Sequence, residues 1–277
     1  TGEGASGEAR GGDGPAGGRG GGDRPVRVVV LDASGDTVTT ANAPGEKGLN
    51  RWVWNLRYAA PTAVSFAQTG ADEGGGGRRG GMSALPGTYT VKLTANGETR
   101  TQPVLVVPDP RLPWNPAAGH AQLALARRVS HQVAALNTVV NRTHSLRGQI
   151  AAAQAAMRET GTRDPGFAAR ARALDQQLRA LSDSLYNPDV QRGVTQDDIH
   201  YLTDFQGMLQ GLGFAGAYNQ APSPLVVESA TRLGAQLDRY LARYNTLVQN
   251  DVAAYNREAA AHGSPTLVAG APVVVKP

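Results

Sequence analysis

Alternation of hydrophobic and polar residues predicts β-strands in the first third of the chain. The run 26–31 is rich in valine and ends at the turn sequence Asp32-Ala33-Ser34-Gly35-Asp36, after which 37–40 returns. Over 49–58 the alternation places Trp52, Trp54, Leu56 and Tyr58 on one face of an extended segment. We therefore expect each of these segments to be a strand, the last with a strongly aromatic face.

The clearest strand signal is a hairpin over residues 88–107. Tyr89, Val91 and Leu93 alternate with polar residues, and Asn96-Gly97 is the pair that favours a type I′ turn. The Gly-rich stretch 70–81 is typical of a long exposed loop between strands. Together these patterns predict that residues 25–107 form an Ig-like antiparallel β-sandwich of about five or more strands.

A proline-rich connector, residues 108–116, separates this region from a helical one, because its four prolines remove backbone donors and restrict their neighbours. Beyond it the hydrophobic period changes from two to about 3.5. The pattern predicts one long helix over 117–159. A second helix carries apolar residues in steps of four and three and ends before Asn187-Pro188: Phe167, Ala171, Leu174, Leu178, Leu181 and Leu185.

Two further helices are predicted from their start signals. Thr195-Gln196-Asp197-Asp198 resembles an N-cap with acidic residues in the first turn, and Ser223-Pro224 is an N-cap followed by proline at the first helical position. The fourth helix extends to about residue 261 with one apolar seam: Ala230, Leu233, Leu237, Tyr240, Tyr244 and Leu247. Residues 117–262 are therefore predicted to form an up-and-down four-helix bundle, which makes the fold class α+β.

The two ends of the chain have no pattern of their own. Residues 1–24 hold no apolar side chain larger than proline and are dominated by glycine, so they are predicted to be an extended tail that a partner surface orders. Because residue 1 is Thr, we expect a mature or truncated piece of a longer chain. For residues 263–277 the pattern leaves two alternatives open, an edge strand of the sandwich or a segment lying on a partner.

Composition excludes several classes of chemistry. The chain has no Cys, and its five His are scattered without a metal-binding spacing, so we expect neither a metal nor another cofactor. A net charge of +4 from 27 basic and 23 acidic residues does not imply nucleic acid binding. The acidic pairs Asp72-Glu73 and Asp197-Asp198 are better explained as a solvated loop and a helix cap than as catalytic carboxylates. No run approaches the length of a membrane span.

The candidate functional residues are therefore those suited to contact with a partner. In the tail Arg10, Arg19 and Arg24 can pair with carboxylates or lipid phosphates, and Arg78 and Arg79 do the same in the Gly-rich loop. Trp52 is the aromatic residue whose core role is least secure, so it can contact a partner or a sugar.

Three motifs resemble the C-terminal region of secreted bacterial BNR-repeat, sortilin-type proteins, which are often labelled glycosyl hydrolases. They are Gly48-Leu49-Asn50-Arg51-Trp52-Val53-Trp54-Asn55-Leu56-Arg57-Tyr58, then Leu85-Pro86-Gly87-Thr88-Tyr89-Thr90-Val91-Lys92-Leu93, then Val107-Pro108-Asp109-Pro110-Arg111. In that family an Ig-like module and a helical segment follow a β-propeller. Asn55 stands where the family pattern has Asp, and the propeller that would hold catalytic residues is not part of this sequence.

The resemblance implies a secreted protein at the periplasm or outer surface and no enzymatic activity for this region. The chain is also similar in kind to the membrane-extrinsic polypeptides that brace a bacterial photosynthetic reaction centre within its antenna. The predicted function is thus a structural subunit that docks on protein subunits of a larger, membrane-bound complex. The alternative is a carbohydrate-binding or stalk module of a glycosidase-like propeller protein.

Overall fold

The protein has a mixed α+β fold in a computed structural model that describes residues 26–66, 81–161, 164–187, 205–212 and 220–276. Strands occupy the N-terminal part of this range and helices the remainder, in the order that the sequence predicts. None of the helices within these ranges has the length and apolar character needed to cross a membrane.

The described strands form one antiparallel sheet. The strands are β1 (Val26–Leu31), β2 (Thr37–Ala43), β3 (Gly87–Ala95) and β4 (Glu98–Val106), and their spatial order is β2-β1-β3-β4. The predicted β3–β4 hairpin is confirmed: Asn96 and Gly97 have φ of 52° and 84°, and Ala95 pairs with Glu98. Positive φ at both central residues is what a type I′ turn requires.

The predicted strand over 49–58 is wrong. This segment is extended but pairs with the chain only at one bridge, between Arg57 and Ser83. Leu56 has a positive φ of 56°, which breaks the regular strand geometry. The alternation nevertheless holds in part, because Tyr58 is buried and Trp52 and Trp54 are half-buried against the sheet.

The segment thus packs over the sheet as irregular chain rather than joining a second sheet. Within the described residues there is a single four-stranded sheet, so the five-stranded Ig-like sandwich is not confirmed. Within this segment Trp54 donates its indole N–H to the carbonyl of Arg57 at 3.0 Å.

The helices agree closely with the sequence pattern. They are α1 (Pro116–Glu159), α2 (Pro165–Leu185), α3 (Phe205–Leu212), α4 (Pro224–Leu247) and α5 (Ala253–Ala259), with a π-helical turn at Val248–Val252 joining α4 to α5. Asn115, Asp164 and Ser223 each cap a helix whose next residue is proline. Such caps satisfy backbone donors that the first turn leaves free.

The predicted apolar seams form the larger core. All six seam residues of α2 are buried, and on α4 only Tyr240 is half-buried while its neighbour Leu241 is buried instead. The predicted start of the third helix, at 195, lies outside the described residues. The described helices pack on one another, but a four-helix bundle is not confirmed, since α3 is a short helix of eight residues.

The C-terminal segment lies on the helices. We call residues 264–276 the strap; it is extended, and its Leu267 and Val273 are buried in the helical core. This outcome excludes the alternative in which the segment adds an edge strand to the sheet.

Two glycines of α1 give a paired test of packing. A Cβ at Gly148 meets no atom within 4 Å, whereas a Cβ at Gly119 would overlap the ring of Trp114 from the connector. We expect Gly148→Ala to raise the free energy of unfolding by about 0.5–1 kcal/mol, through helix propensity. We expect Gly119→Ala to lower it by about 1–3 kcal/mol through overpacking. Urea titration of both variants measures this, and equal effects would show that Trp114 does not rest on Gly119.

Candidate docking surface

One face of the sheet is covered by the chain's own aromatic residues. Trp54 meets Tyr89 edge to face with ring centroids 5.0 Å apart, and Tyr89 donates its hydroxyl to the carbonyl of Leu85 at 2.8 Å. Burial raises the pKa of the Tyr58 hydroxyl to about 12, and the neighbouring Arg127 guanidinium opposes that shift. These rings are therefore core residues rather than a free aromatic platform.

An ion pair joins the sheet to the start of α1. Arg127 Nη2 lies 2.5 Å from Asp32 Oδ2, and the guanidinium sits 5.0 Å from the centre of the Tyr58 ring. Asp32 also accepts hydrogen bonds from the backbone N–H groups of Ser34 and Asp36, which hold its carboxylate in the β1–β2 turn. The sheet is thus anchored to α1 through a residue whose position is already set by its turn.

A second anchor lies further along α1. Asn137 donates to the carbonyl of Thr62, and Asn141 donates to the carbonyl of Ala63 and accepts from the N–H of Ser65. Phe66 stacks on His144 with ring centroids 3.9 Å apart. Segment 62–66 therefore runs along α1, and its Val64 and Phe66 pack against the helical core.

Loss of the first anchor has a measurable cost. The Asp32 side chain is 12% exposed and that of Arg127 30% exposed, so Arg127→Met leaves a carboxylate without its cation in a partly dry site. We expect the free energy of unfolding to fall by about 1–3 kcal/mol. The matched control is Arg179→Met, which breaks the exposed Arg179–Asp183 pair and should cost about 0.5 kcal/mol or less. Equal losses in the two variants would show that Arg127 is not an anchor.

The other face of the sheet is open. Paired residues in antiparallel strands share a face, so the register places Arg27, Val29 and Leu31 of β1 together with Lys92 of β3 and Leu105 of β4. Val29 and Leu31 are half-buried, and Arg27, Lys92 and Leu105 are exposed. Threonine is the commonest residue of this open face: Thr37, Thr40, Thr88, Thr90, Thr94, Thr99 and Thr101.

The charge of the open face has one sign. The strand residues that the register places there include Arg27 and Lys92 and no Asp or Glu. Arg27 pairs with Thr94, two residues along β3 from Lys92, so the two cations are diagonal neighbours. The face therefore offers two cations among hydroxyl groups, which suits an acidic partner surface.

The free edge of β4 is protected against further strand pairing. Counting outward from the two-residue turn, Pro103 falls at a position whose N–H would point away from β3. Proline has no N–H, so the edge lacks a donor at its centre. This edge is thus poorly suited to pairing with a further strand.

The same half of the molecule exposes aliphatic side chains. Leu49 is 99% exposed, Val53 75%, Leu105 68% and Val107 67%. Leu49 and Val53 come from the segment that covers the sheet, and Leu105 and Val107 from the end of β4. Isolated exposed aliphatics are ordinary, and of these four the strand register places Leu105 on the open face.

Of the six predicted contact residues the structure describes one, Trp52. Trp52 is half-buried against the sheet core, and Arg10, Arg19, Arg24, Arg78 and Arg79 lie outside the described residues. Sequence reasoning did not place Arg27 and Lys92 among the candidate contact residues. The alternation of threonine in 88–94 and 99–101 was the available signal, since it marks a strand face without large apolar residues.

Within the described ranges no cluster of His, Asp or Glu has the geometry to hold a metal ion. Comparison of the chain with protein-family models, curated proteins and solved structures gives no match. The resemblance to sortilin-type proteins therefore stays a prediction, and the assignment of a role depends on the geometry of the chain itself.

Proposed function

We propose that this chain is a non-catalytic assembly protein that docks on a larger, membrane-associated complex. The open face of the sheet, with Arg27, Lys92 and its threonines, binds an acidic surface of a partner protein subunit. A photosynthetic reaction centre with its antenna is the candidate complex that the sequence resemblance offers. In this proposal the sheet region is an Ig-like module and the helices that follow it are a four-helix bundle.

The observation that carries the proposal is the contrast between the two faces of the sheet. One face is filled by Trp54, Tyr58 and Tyr89, while the opposite face has no acidic strand residue and leaves Leu105 exposed. A hydroxyl-rich face with two like charges matches the polar, hydrated character of non-obligate interfaces. Its charge also favours fast encounter with an acidic partner.

The geometry favours docking over the carbohydrate-binding alternative. A sugar platform needs an aromatic face free in solution, but the Trp54 indole is bonded to Arg57 and Trp52 packs against the sheet core. Trp52→Ala should therefore leave glycan binding, measured on a glycan array, at the background level of the wild-type chain.

Charge reversal on the open face tests the docking proposal. Affinity-tagged chain is recovered from detergent-solubilised membranes of the source organism, and associated subunits are quantified by mass spectrometry. We expect Arg27→Glu with Lys92→Glu to reduce the recovered partner about tenfold or more, because like charges then face each other. The control is Arg100→Glu on β4, whose side chain lies on the other side of the sheet and is 84% exposed.

Deletion of residues 1–24 is the second arm. If the tail is part of the docking surface, as its sequence predicts, the truncated chain keeps its melting temperature and loses partner retention. Unchanged retention in both the deletion and the charge-reversed variant would contradict docking through either surface.

A further inference from the structure

The strap is held on the helices in a way that resembles the binding of an extended peptide. Three side-chain amides each bind both the N–H and the C=O of one strap residue. Asn256 of α5 binds Leu267 at 2.7 and 2.8 Å, and Asn245, in α4, binds Val273 at 2.9 Å for both bonds. Gln149, in α1, binds Val268 at 2.7 and 3.1 Å.

These contacts recognise main-chain groups, as a neighbouring β-strand would. Arg142 of α1 adds a hydrogen bond to the carbonyl of Ala271, and the Tyr244 hydroxyl donates to that of Ala269 at 3.4 Å. The helices therefore present a groove that satisfies an extended backbone without contributing a strand of their own.

Two side chains anchor the strap in this groove. Leu267 is 4% exposed and Val273 6% exposed, whereas their neighbours Val268 and Val274 are 74% and 69% exposed. The inward and outward sides of the strap are thus distinct. A ligand of this groove is an extended segment with aliphatic anchors six residues apart.

A short hinge connects the strap to the helices. Gly263 has a left-handed φ of 63°, and Pro265 follows Ser264, which binds the Tyr255 hydroxyl at 2.6 Å. A change of backbone direction at this glycine breaks the bond from the Ser264 N–H to the Ala259 carbonyl, at 2.8 Å, and the Ser264–Tyr255 bond, but leaves the bonds within the helical turns of α4 and α5 in place. Exchange of a terminal segment between identical chains is a low-cost route to dimers.

We propose that the groove formed by α1, α4 and α5 is a binding site for an extended aliphatic peptide, and that the strap of a second copy of this chain occupies it by exchange. The occupant is assigned to a second copy because the strap is the segment that the structure shows to fit. The inference does not depend on docking through the open face of the sheet.

A strap from a second molecule must compete for the groove with the chain's own strap, which is tethered next to it. A short tether gives the chain's own strap an effective concentration of about 1 mM, so a free strap binds slowly and at high concentration. Full-length wild-type chain is incubated with a fluorescent peptide of residues 264–277, and binding is followed by anisotropy. We expect saturable binding that is lost with Leu267→Asp and Val273→Asp in the peptide.

The matched control peptide carries Val268→Asp and Val274→Asp on the outward side. It should bind within about threefold of the native peptide, since exposed substitutions change binding little. Equal loss with both altered peptides, or no binding of the native one, would overturn the proposal.

A complementation pair tests the second copy directly. One full-length variant carries Leu267→Asp and Val273→Asp, which weaken its strap; the other carries Asn245→Ala and Asn256→Ala, which weaken its groove and leave its strap native. We expect a dimer by light scattering when the two are mixed and a monomer for each alone. Replacing the first variant by one with Val268→Asp and Val274→Asp should give no dimer.

Two other results would also count against the proposal. Peptide binding without a mixed dimer would overturn the assignment of a second copy as occupant. If the strap-defective variant loses its helical circular dichroism, the strap is a permanent part of the core and the exchange proposal is wrong.

Discussion

Replacement of Leu178 or Leu237 by Ala is expected to lower the free energy of unfolding by about 2–5 kcal/mol. Both side chains are fully buried in the helical core, Leu178 on α2 and Leu237 on α4. Each change removes apolar contact and leaves a cavity that the packed neighbours only partly fill. Urea titration followed by far-UV circular dichroism measures the loss.

Leu225→Ala is the control for this result. Leu225 belongs to the first turn of the same helix as Leu237 but is 70% exposed, so its truncation should change stability by less than about 0.5 kcal/mol. A loss under about 1 kcal/mol for Leu178→Ala and Leu237→Ala would contradict the closed helical core.

The second large effect is expected at Tyr89, in the core between the sheet and its covering segment. Tyr89 is 5% exposed, packs on Trp54 and is bonded to Leu85. Tyr89→Ala should cost about 3–5 kcal/mol, because this core is small and a lost ring cannot be replaced by neighbours. Tryptophan fluorescence reports on it, since two of the three Trp residues pack on this core.

Tyr89→Phe separates the ring from the hydroxyl. It keeps the packing and removes only the bond to the Leu85 carbonyl, so we expect a cost of about 1 kcal/mol. Fluorescence and circular dichroism transitions that coincide in Tyr89→Ala would show that sheet and helices unfold together, as the Asp32–Arg127 and Asn137–Thr62 contacts lead us to expect. If Tyr89→Ala and Tyr89→Phe lower the free energy of unfolding by the same amount, the ring does not contribute packing.

The candidate docking surface was accessible from sequence only in part. The strands that carry Arg27 and Lys92 were predicted, but the pattern led us to expect a second sheet, not an irregular segment, on the covered face. Which face is covered depends on where the aromatic segment 52–58 packs, and that is a long-range choice. Local alternation cannot encode it, because alternation defines two faces without naming the one that meets a partner.

The groove beneath the strap could be predicted from the sequence even less. Gln149, Asn245 and Asn256 are ordinary polar residues of predicted helices, and nothing in their spacing links them to Leu267 or Val273. Each amide finds its partner across 11 to 119 residues of sequence. The three amides come to lie along the strap only when α1, α4 and α5 fold together.

The sequence by itself determined the elements whose causes are local. The Asn96-Gly97 turn requires positive φ, the N-caps before Pro116, Pro165 and Pro224 start helices, and the seam of α2 has the helical period. The tertiary structure alone decided the irregular course of segment 49–58, the open face of the sheet and the position of the strap. Those features depend on contacts between distant residues, whose free energies no window of neighbouring residues contains.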